Sequence, residues 1–248
     1  MSEAALAIEN VTKYFGGIRA VDGVSVQVEP GERRVLIGPN GAGKTTLFHC
    51  VTGTLRPSSG RVRFFGQDVT NLSESRRTEL GMGRTFQITN VLTDLSAGEN
   101  VALAILGTDG RKWMMHRAVS ALESVRERAV QGLEAVGLAE RIDEPVNLLS
   151  YGERRQLELA LALNTNPRAL FLDEPCAGLS PSERQRISAL VADLPRSITI
   201  VMIEHDMDVA LRLADRVTVL DRGRVIAEGT SREIQADPQV RNVYFGHA

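Results

Sequence analysis

Cysteine is scarce in this chain: there are 2 in 248 residues, Cys50 and Cys176, far apart and in no metal-ligand spacing. A disulfide framework and a structural zinc site are therefore not expected, and both thiols read as reduced, packed groups. A surplus of one charge is missing too. With 29 basic against 31 acidic residues the formal net charge is −2, which supplies no general drive toward nucleic acid or anionic lipid. No apolar stretch approaches the length of a membrane span, and Met1-Ser2-Glu3-Ala4-Ala5 lacks a basic flank and an apolar core. These absences predict a cytoplasmic protein with no nucleic-acid partner. Internal repeats and low-complexity segments are also absent. What is present is ordinary globular composition, 43% hydrophobic and 24% charged, enough for one large core or a core with a small inserted lobe.

The first third reads as short strands, Leu6 to Val11, Val24 to Val28, Arg33 to Ile37 and Arg61 to Phe65, with turn chemistry at Asp22-Gly23, Pro30-Gly31 and Ser58-Ser59-Gly60. Beyond Gln87 the texture becomes helical. Val119, Leu122, Val125, Val130, Leu133 and Val136 recur at near-helical spacing, which predicts an amphipathic helix in an inserted lobe. Strand signals return at Ala169 to Leu172, Ile198 to Ile203 and Val217 to Leu220, separated by helical stretches such as Ser182 to Leu194. Unbroken apolar runs of this kind suit a parallel sheet buried on both faces, so an α/β core interrupted by a helical insertion is expected.

Between the apolar run Val35-Leu36-Ile37 and the helical Leu47-Phe48-His49-Cys50-Val51 lies Gly38-Pro39-Asn40-Gly41-Ala42-Gly43-Lys44-Thr45-Thr46. Glycines let consecutive backbone N–H groups turn toward one centre, and the helix that follows adds the positive end of its dipole there. That is a cradle for a triphosphate. Lys44 is placed to reach the outer phosphates, and Thr45 carries the hydroxyl that such loops offer to Mg²⁺.

Asp173 and Glu174 directly follow Ala169 to Leu172, at the mouth of a buried strand. Beside a triphosphate, Asp173 holds Mg²⁺ and Glu174 orients or deprotonates the attacking water; alone, the two would be solvated acids at a strand end. His205 ends the run from Ile198 to Ile203 with Glu204 beside it, and is either a contact to the terminal phosphate or a surface residue. Gln87 is either a polar surface group or a carbonyl that joins the Mg²⁺ shell. Ser150 and Glu153 form a capping box ahead of a helix that runs to about Asn164. Gly152 is a poor helix residue unless close backbone approach is wanted, and with Ser150 it makes a second anion site at a helix start.

These residues together resemble the nucleotide-binding subunit of ABC transporters over nearly the whole chain. Gly38 to Thr45 match the Walker A loop, Gln87 the Q-loop, Leu149 to Glu153 the signature, Ala169 to Asp173 Walker B, Glu174 the catalytic carboxylate, Ala177 to Ser180 the D-loop and His205 the switch histidine. Phe15 matches the aromatic that stacks on adenine, against the alternative of a core residue beside Tyr14. The resemblance implies a single ABC ATPase domain over residues 1–248. Its P-loop NTPase (RecA-like) α/β core spans 1–90 and 160–248, with an N-terminal antiparallel β-subdomain and an inserted helical signature subdomain over 91–159.

The same resemblance implies two cassettes packed head to tail, so that Ser150 and Gly152 serve the nucleotide held by the other subunit, either a copy or a paralogue. Transmembrane permease subunits, and indirectly a solute-binding protein, are the implied partners, with Ile88 to Asn100 as the implied docking segment. The pattern Arg84-Thr85-Phe86-Gln87, the Tyr-bearing signature, Gly178-Leu179-Ser180-Pro181 and the tail Val240 to Gly246 resemble ATPases of branched-chain amino-acid importers. Related cassettes serve urea uptake or lipopolysaccharide export. Tyr151, Glu153 and Ser180 depart from the commonest glycine, glutamine and aspartate at their places. A soluble ABC ATPase of nucleic-acid metabolism, a P-loop kinase and a non-catalytic docking module each account for fewer of these residues.

Overall fold

The computed structural model describes residues 3–85, 91–108 and 119–245. Strands β1 (Leu6–Phe15) and β2 (Ile18–Val28) form a hairpin, and β3 (Arg33–Ile37) leads through the glycine loop into α1 (Lys44–Thr52). β4 (Ser59–Phe64) and the two-residue β5 (Gln67–Asp68) precede α2 (Glu74–Glu79) and β6 (Met82–Arg84). Three helices follow: α3 (Ala97–Thr108), α4 (Val119–Glu134) and α5 (Tyr151–Leu163). The chain then alternates through β7 (Ala169–Asp173), α6 (Pro181–Asp193), β8 (Thr199–Ile203), α7 (Met207–Leu213) and β9 (Arg216–Asp221). β10 (Arg224–Gly229), α8 (Ser231–Ala236) and α9 (Pro238–Phe245) complete it.

Two sheets result. One is antiparallel, in the order β2-β1-β4-β5, and the other has six strands in the order β10-β9-β3-β8-β7-β6. From β9 to β6 the larger sheet is parallel, with Val35 level with Met202 and Val217 on its two neighbours. Every residue of β7 and β8 is buried, as the unbroken apolar runs require. Alternate residues face opposite layers. Val35, Ile37, Leu170, Leu172, Ile200 and Met202 join the core that includes the buried residues of α3, α4 and α5. Leu36, Phe171, Val201 and Ile203 face α1 and the antiparallel sheet, where Phe48 meets Phe171 edge to face at 6.0 Å.

Several boundaries differ from the sequence expectation, most of them by one or two residues. β1 runs past Val11 to Phe15, and β2 starts at Ile18 rather than Val24, because pairing passes through register shifts between Ile8 and Tyr14. Asn10 sits there with φ 49, its N–H bonded to Ser25 Oγ at 2.9 Å, and the irregularity breaks the period of two. Phe65 lies beyond the end of β4 with φ 43, as part of the turn with Gly66. In α4 the buried stripe is Val125, Ala129 and Leu133, while Val130 is only partly covered.

The position of α1 is set from behind. Arg77 is 1% exposed, and its guanidinium donates to the carbonyls of Cys50 at 2.9 Å and of Val51, at the C-terminal end of α1. It also donates to Thr70 and Leu72 at 3.1 Å, so one side chain ties the helix to the segment before α2. A cation there complements the negative end of the helix dipole. Burial pushes the Arg77 guanidinium below its ordinary pKa.

Candidate functional site

Three neighbouring strands of the parallel sheet, β3, β8 and β7, deliver their carboxyl ends to one edge. That edge is where open α/β sheets bind ligands. The glycine loop follows β3, Glu204 and His205 follow β8, and Asp173 and Glu174 close β7.

Two glycines of the loop are demanded by space. At Gly38 a Cβ would lie 2.1 Å from the Leu220 carbonyl oxygen, and at Gly43, with φ 97, it would lie 2.3 Å from the Ala20 carbonyl oxygen. Gly43 is also the N-cap of α1 and gives it no side-chain cap, so the first N–H groups of the helix carry no side-chain acceptor. Lys44 Nζ folds over the loop, donating to the carbonyls of Gly38 at 2.7 Å and Pro39 at 3.0 Å. Burial lowers the Lys44 pKa, and the Glu174 charge opposes that shift. Asn40, Gly41, Ala42, Gly43, Lys44, Thr45 and Thr46 line a cavity of about 340 Å³, together with Phe15, Ala20 and His205. Phe15 is 47% exposed on its rim, with Lys13 Nζ 5.3 Å from the ring centroid. It is not a core aromatic.

Asp173 is buried, and neither carboxylate oxygen has a hydrogen-bond partner among the described residues. Burial pushes its carboxyl up, and the neighbouring Glu174 charge pushes it further. The nearest ring nitrogen, Nε2 of His49, is 4.0 Å from Oδ2. Two buried, unpartnered carboxylate oxygens at the carboxyl end of β7 are a donor set that a hard divalent cation takes. Asp173 and the Thr45 hydroxyl therefore fit Mg²⁺, whereas Gln87 lies outside the described residues.

Glu174 holds φ 51, a left-handed conformation that a non-glycine residue adopts at a cost of about 1–3 kcal/mol. Its N–H bonds the Ile203 carbonyl at 3.1 Å, and this ties the carboxyl end of β7 to that of β8. The side chain meets His205, with Oε1 2.6 Å from Nε2. The structure thus joins two residues that lie 31 apart in sequence. Glu204 is 3% exposed, accepts the Cys176 N–H at 3.2 Å, and so fixes the start of the segment that leads to α6. Sequence reading left Glu204 without a role, although an acid closing an unbroken apolar run marks its position. Cys50 and Cys176 are free and buried, their pKa values pushed up by burial to about 11 and about 12.

Ser150 and Gly152 do not line this cavity. Ser150 caps α5 with both halves of the capping box formed, its Oγ accepting from Glu153 N at 3.2 Å. Gly152 packs against Glu183 of α6. Of the segment from 88 to 100, residues 88–90 lie outside the described residues, Leu92 is exposed, and Asn100 is buried with its amide bonded to Leu92 and Ser96. A larger cavity of about 440 Å³ between α3 and α4, lined by Gly98, Ala102, Val125 and Ala129 among others, carries no phosphate-binding geometry.

Fold and site define a P-loop nucleoside triphosphatase core. Residues 21–177 match the model of the ABC transporter family, and residues 224–248 match that of the branched-chain amino acid ATP-binding cassette transporter. The chain belongs to the ABC transporter family and is an ATP-hydrolysing cassette of it. It is 36% identical to the high-affinity branched-chain amino acid transport ATP-binding protein BraF of Pseudomonas aeruginosa, with all of both chains covered. It is 34% identical to LivG of Escherichia coli K12, which bears the same description, again with full coverage. The ADP conformation of MJ1267, an ATP-binding cassette of an ABC transporter, superposes with a TM-score of 0.85 at 34% identity, covering 98% of this chain and 99% of that one. A dimeric post-hydrolysis state of the cassette MJ0796 bound to ADP and Pi has a TM-score of 0.79 at 28% identity, covering 92% and 99%. Among the described residues no helix is long and apolar enough to cross a membrane.

Proposed function

We propose that this chain is the ATPase of a membrane importer for branched-chain or other hydrophobic amino acids, working as a head-to-tail pair of cassettes at the inner face of the membrane. The observation that carries the reading is the separation of two phosphate-type helix starts: α1 opens onto the cavity, while Ser150 and Gly152 at the start of α5 do not border it. A second subunit, copy or paralogue, brings its own α5 start to the nucleotide held here. The dimeric MJ0796 cassette supports that arrangement, and the names of BraF and LivG support the cargo. Residues 91–159 form the helical signature subdomain, and the remainder the nucleotide-binding core.

In this mechanism the backbone N–H groups of Gly41, Gly43, Lys44 and Thr45 and the Lys44 ammonium grip the phosphates, and Phe15 stacks on the base. Asp173 and Thr45 would hold Mg²⁺, which supplies charge neutralisation on the phosphate oxygens. Glu174 accepts the proton of the attacking water. His205, 2.6 Å from Glu174 Oε1, orients that carboxylate and reaches toward the terminal phosphate. With its backbone left-handed at φ 51, Glu174 meets His205, which borders the cavity. The permease and the solute-binding protein handle the cargo, which this chain does not touch.

The test uses Glu174→Gln. With ATP and Mg²⁺ the variant should bind nucleotide, lose turnover by about 100-fold or more, and run as a dimer by light scattering. A variant that stays monomeric at saturating ATP, alone and with its paralogue, overturns the paired reading. For the cargo, a reconstituted transporter should raise its ATPase rate with a leucine-loaded binding protein and not with a urea-loaded one.

A further inference from the structure

The N-terminus of α6 carries a second complete capping box. Glu183 Oε2 accepts from Ser180 N at 2.9 Å and from Ser180 Oγ at 2.6 Å. The other oxygen turns to a different helix. A Cβ built on Gly152 would lie 2.3 Å from Glu183 Oε1 and 2.7 Å from Cδ, so the glycine is what admits the carboxylate to the first turn of α5. The Ser180 hydrogen bonds first, then the Gly152 N–H and the Arg186 charge, hold the Glu183 carboxyl below its ordinary pKa, so it is anionic at neutral pH.

Tyr151 closes the same seam. Its hydroxyl donates to the Ala177 carbonyl at 3.4 Å and accepts from Arg155 at 2.8 Å, and a Cβ on Gly178 would lie 3.3 Å from its ring. Tyr151 and Ser180, two places where the chain departs from the commonest family residues, thus belong to one contact. On the opposite side of the same turn, Arg184 pairs with Asp206 at 2.5 Å, and Asp206 caps α7 directly after His205.

We propose that Glu183 is an internal anion seated on the start of α5, and that the terminal phosphate of the partner's ATP displaces it when two cassettes close. The proposal rests on the paired reading above. Ser150 Oγ accepts from Glu153 N and keeps its own proton to donate, while Glu183 Oε1 occupies the space beside Gly152, so a carboxylate and a phosphate compete for the same first turn of the helix. Leaving costs little structure. Oε1 swings away while Oε2 keeps its bonds to Ser180, so α6 stays capped as it parts from α5. Each open cassette therefore carries its own competitor for the phosphate, and closure releases α6, which is also joined through Arg184 and Asp206 to the His205 turn.

Glu183→Gln separates charge from folding, because glutamine fills the third helical position of a capping box as glutamate does. In a Glu174→Gln background, light scattering across an ATP titration should show half-maximal pairing at an ATP concentration lower by about three- to fivefold, the effect of one exposed charge contact. ADP affinity of the single chain should not move. Glu183→Ala, which also loses the cap, should melt earlier and still pair at lower ATP; a merely structural Glu183 would make both variants pair less readily. Pairing at the same or higher ATP in Glu183→Gln overturns the inference alone. If the Glu174→Gln parent never pairs, the inference and the paired reading both fall.

Discussion

α1 and α5 begin in similar chemistry and are finished differently. α1 starts at Gly43 with no side chain on its first donors, behind a loop whose glycines are required by the Leu220 and Ala20 carbonyls. α5 starts at Ser150 with a complete capping box and a carboxylate from α6 against Gly152. A helix start left without side-chain acceptors is ready for phosphate at all times, since only backbone N–H groups and the dipole are needed. One filled by the protein's own acids accepts phosphate only in exchange. Under the proposed pairing, the contrast gives α1 the part of holding nucleotide and α5 that of answering its arrival.

Lys44→Ala tests the α1 half and carries the largest expected effect. Single-chain ATP affinity and turnover should each fall on the order of 100-fold, read by calorimetry and phosphate release. Retention of both would remove the distinction between the two helix starts. Ser150→Ala tests the α5 half. It should leave single-chain nucleotide affinity unchanged, cut turnover of the pair, and cost about 1 kcal/mol of stability from the lost cap, or about 2–4 °C in Tm. A drop in single-chain affinity equal to that of Lys44→Ala would make the two ends equivalent.

The smallest effect concerns the thiols, Cys50 on the buried face of α1 and Cys176 behind the start of α6. Folding raises their pKa values from 9.0 to about 11 and about 12. Between those values the unfolded chain sheds protons that the folded chain keeps. The thiols' contribution to stability is therefore complete below about pH 9 and lost as pH rises toward 11–12. The urea midpoint should fall across that window, less so in a Cys50→Ala variant, and a disulfide reagent at pH 8 should label only unfolded protein. Rapid labelling of native Cys50 would show that the underside of α1 is open, which its burial denies.

The cradle was legible because its parts are contiguous: a buried strand, a glycine loop and a helix follow one another between Val35 and Val51. Asp173, Glu174 and His205 were legible because each follows the end of an unbroken apolar run, which fixes the edge of the sheet they reach. The hairpin of β1 and β2 was harder to read. Its exposed or half-exposed residues from Lys13 to Arg19 give no apolar run, and the shift at Asn10 spoils alternation. Phe15 could not be assigned from its neighbours, since only the folded cavity distinguishes a rim from a core. Glu183 drew no reading from the sequence, although Ser180-Pro181-Ser182-Glu183 has the spacing of a capping box. That its second oxygen reaches Gly152 depends on how α5 and α6 pack, which no local pattern encodes.

Arg77 gives the molecule a stiff backstop. The phosphate grip sits at one end of a nine-residue helix, and the other end is clamped by a guanidinium that donates to four carbonyls. If nucleotide binds at the loop as proposed, α1 meets it with its far end already tied to the chain before α2.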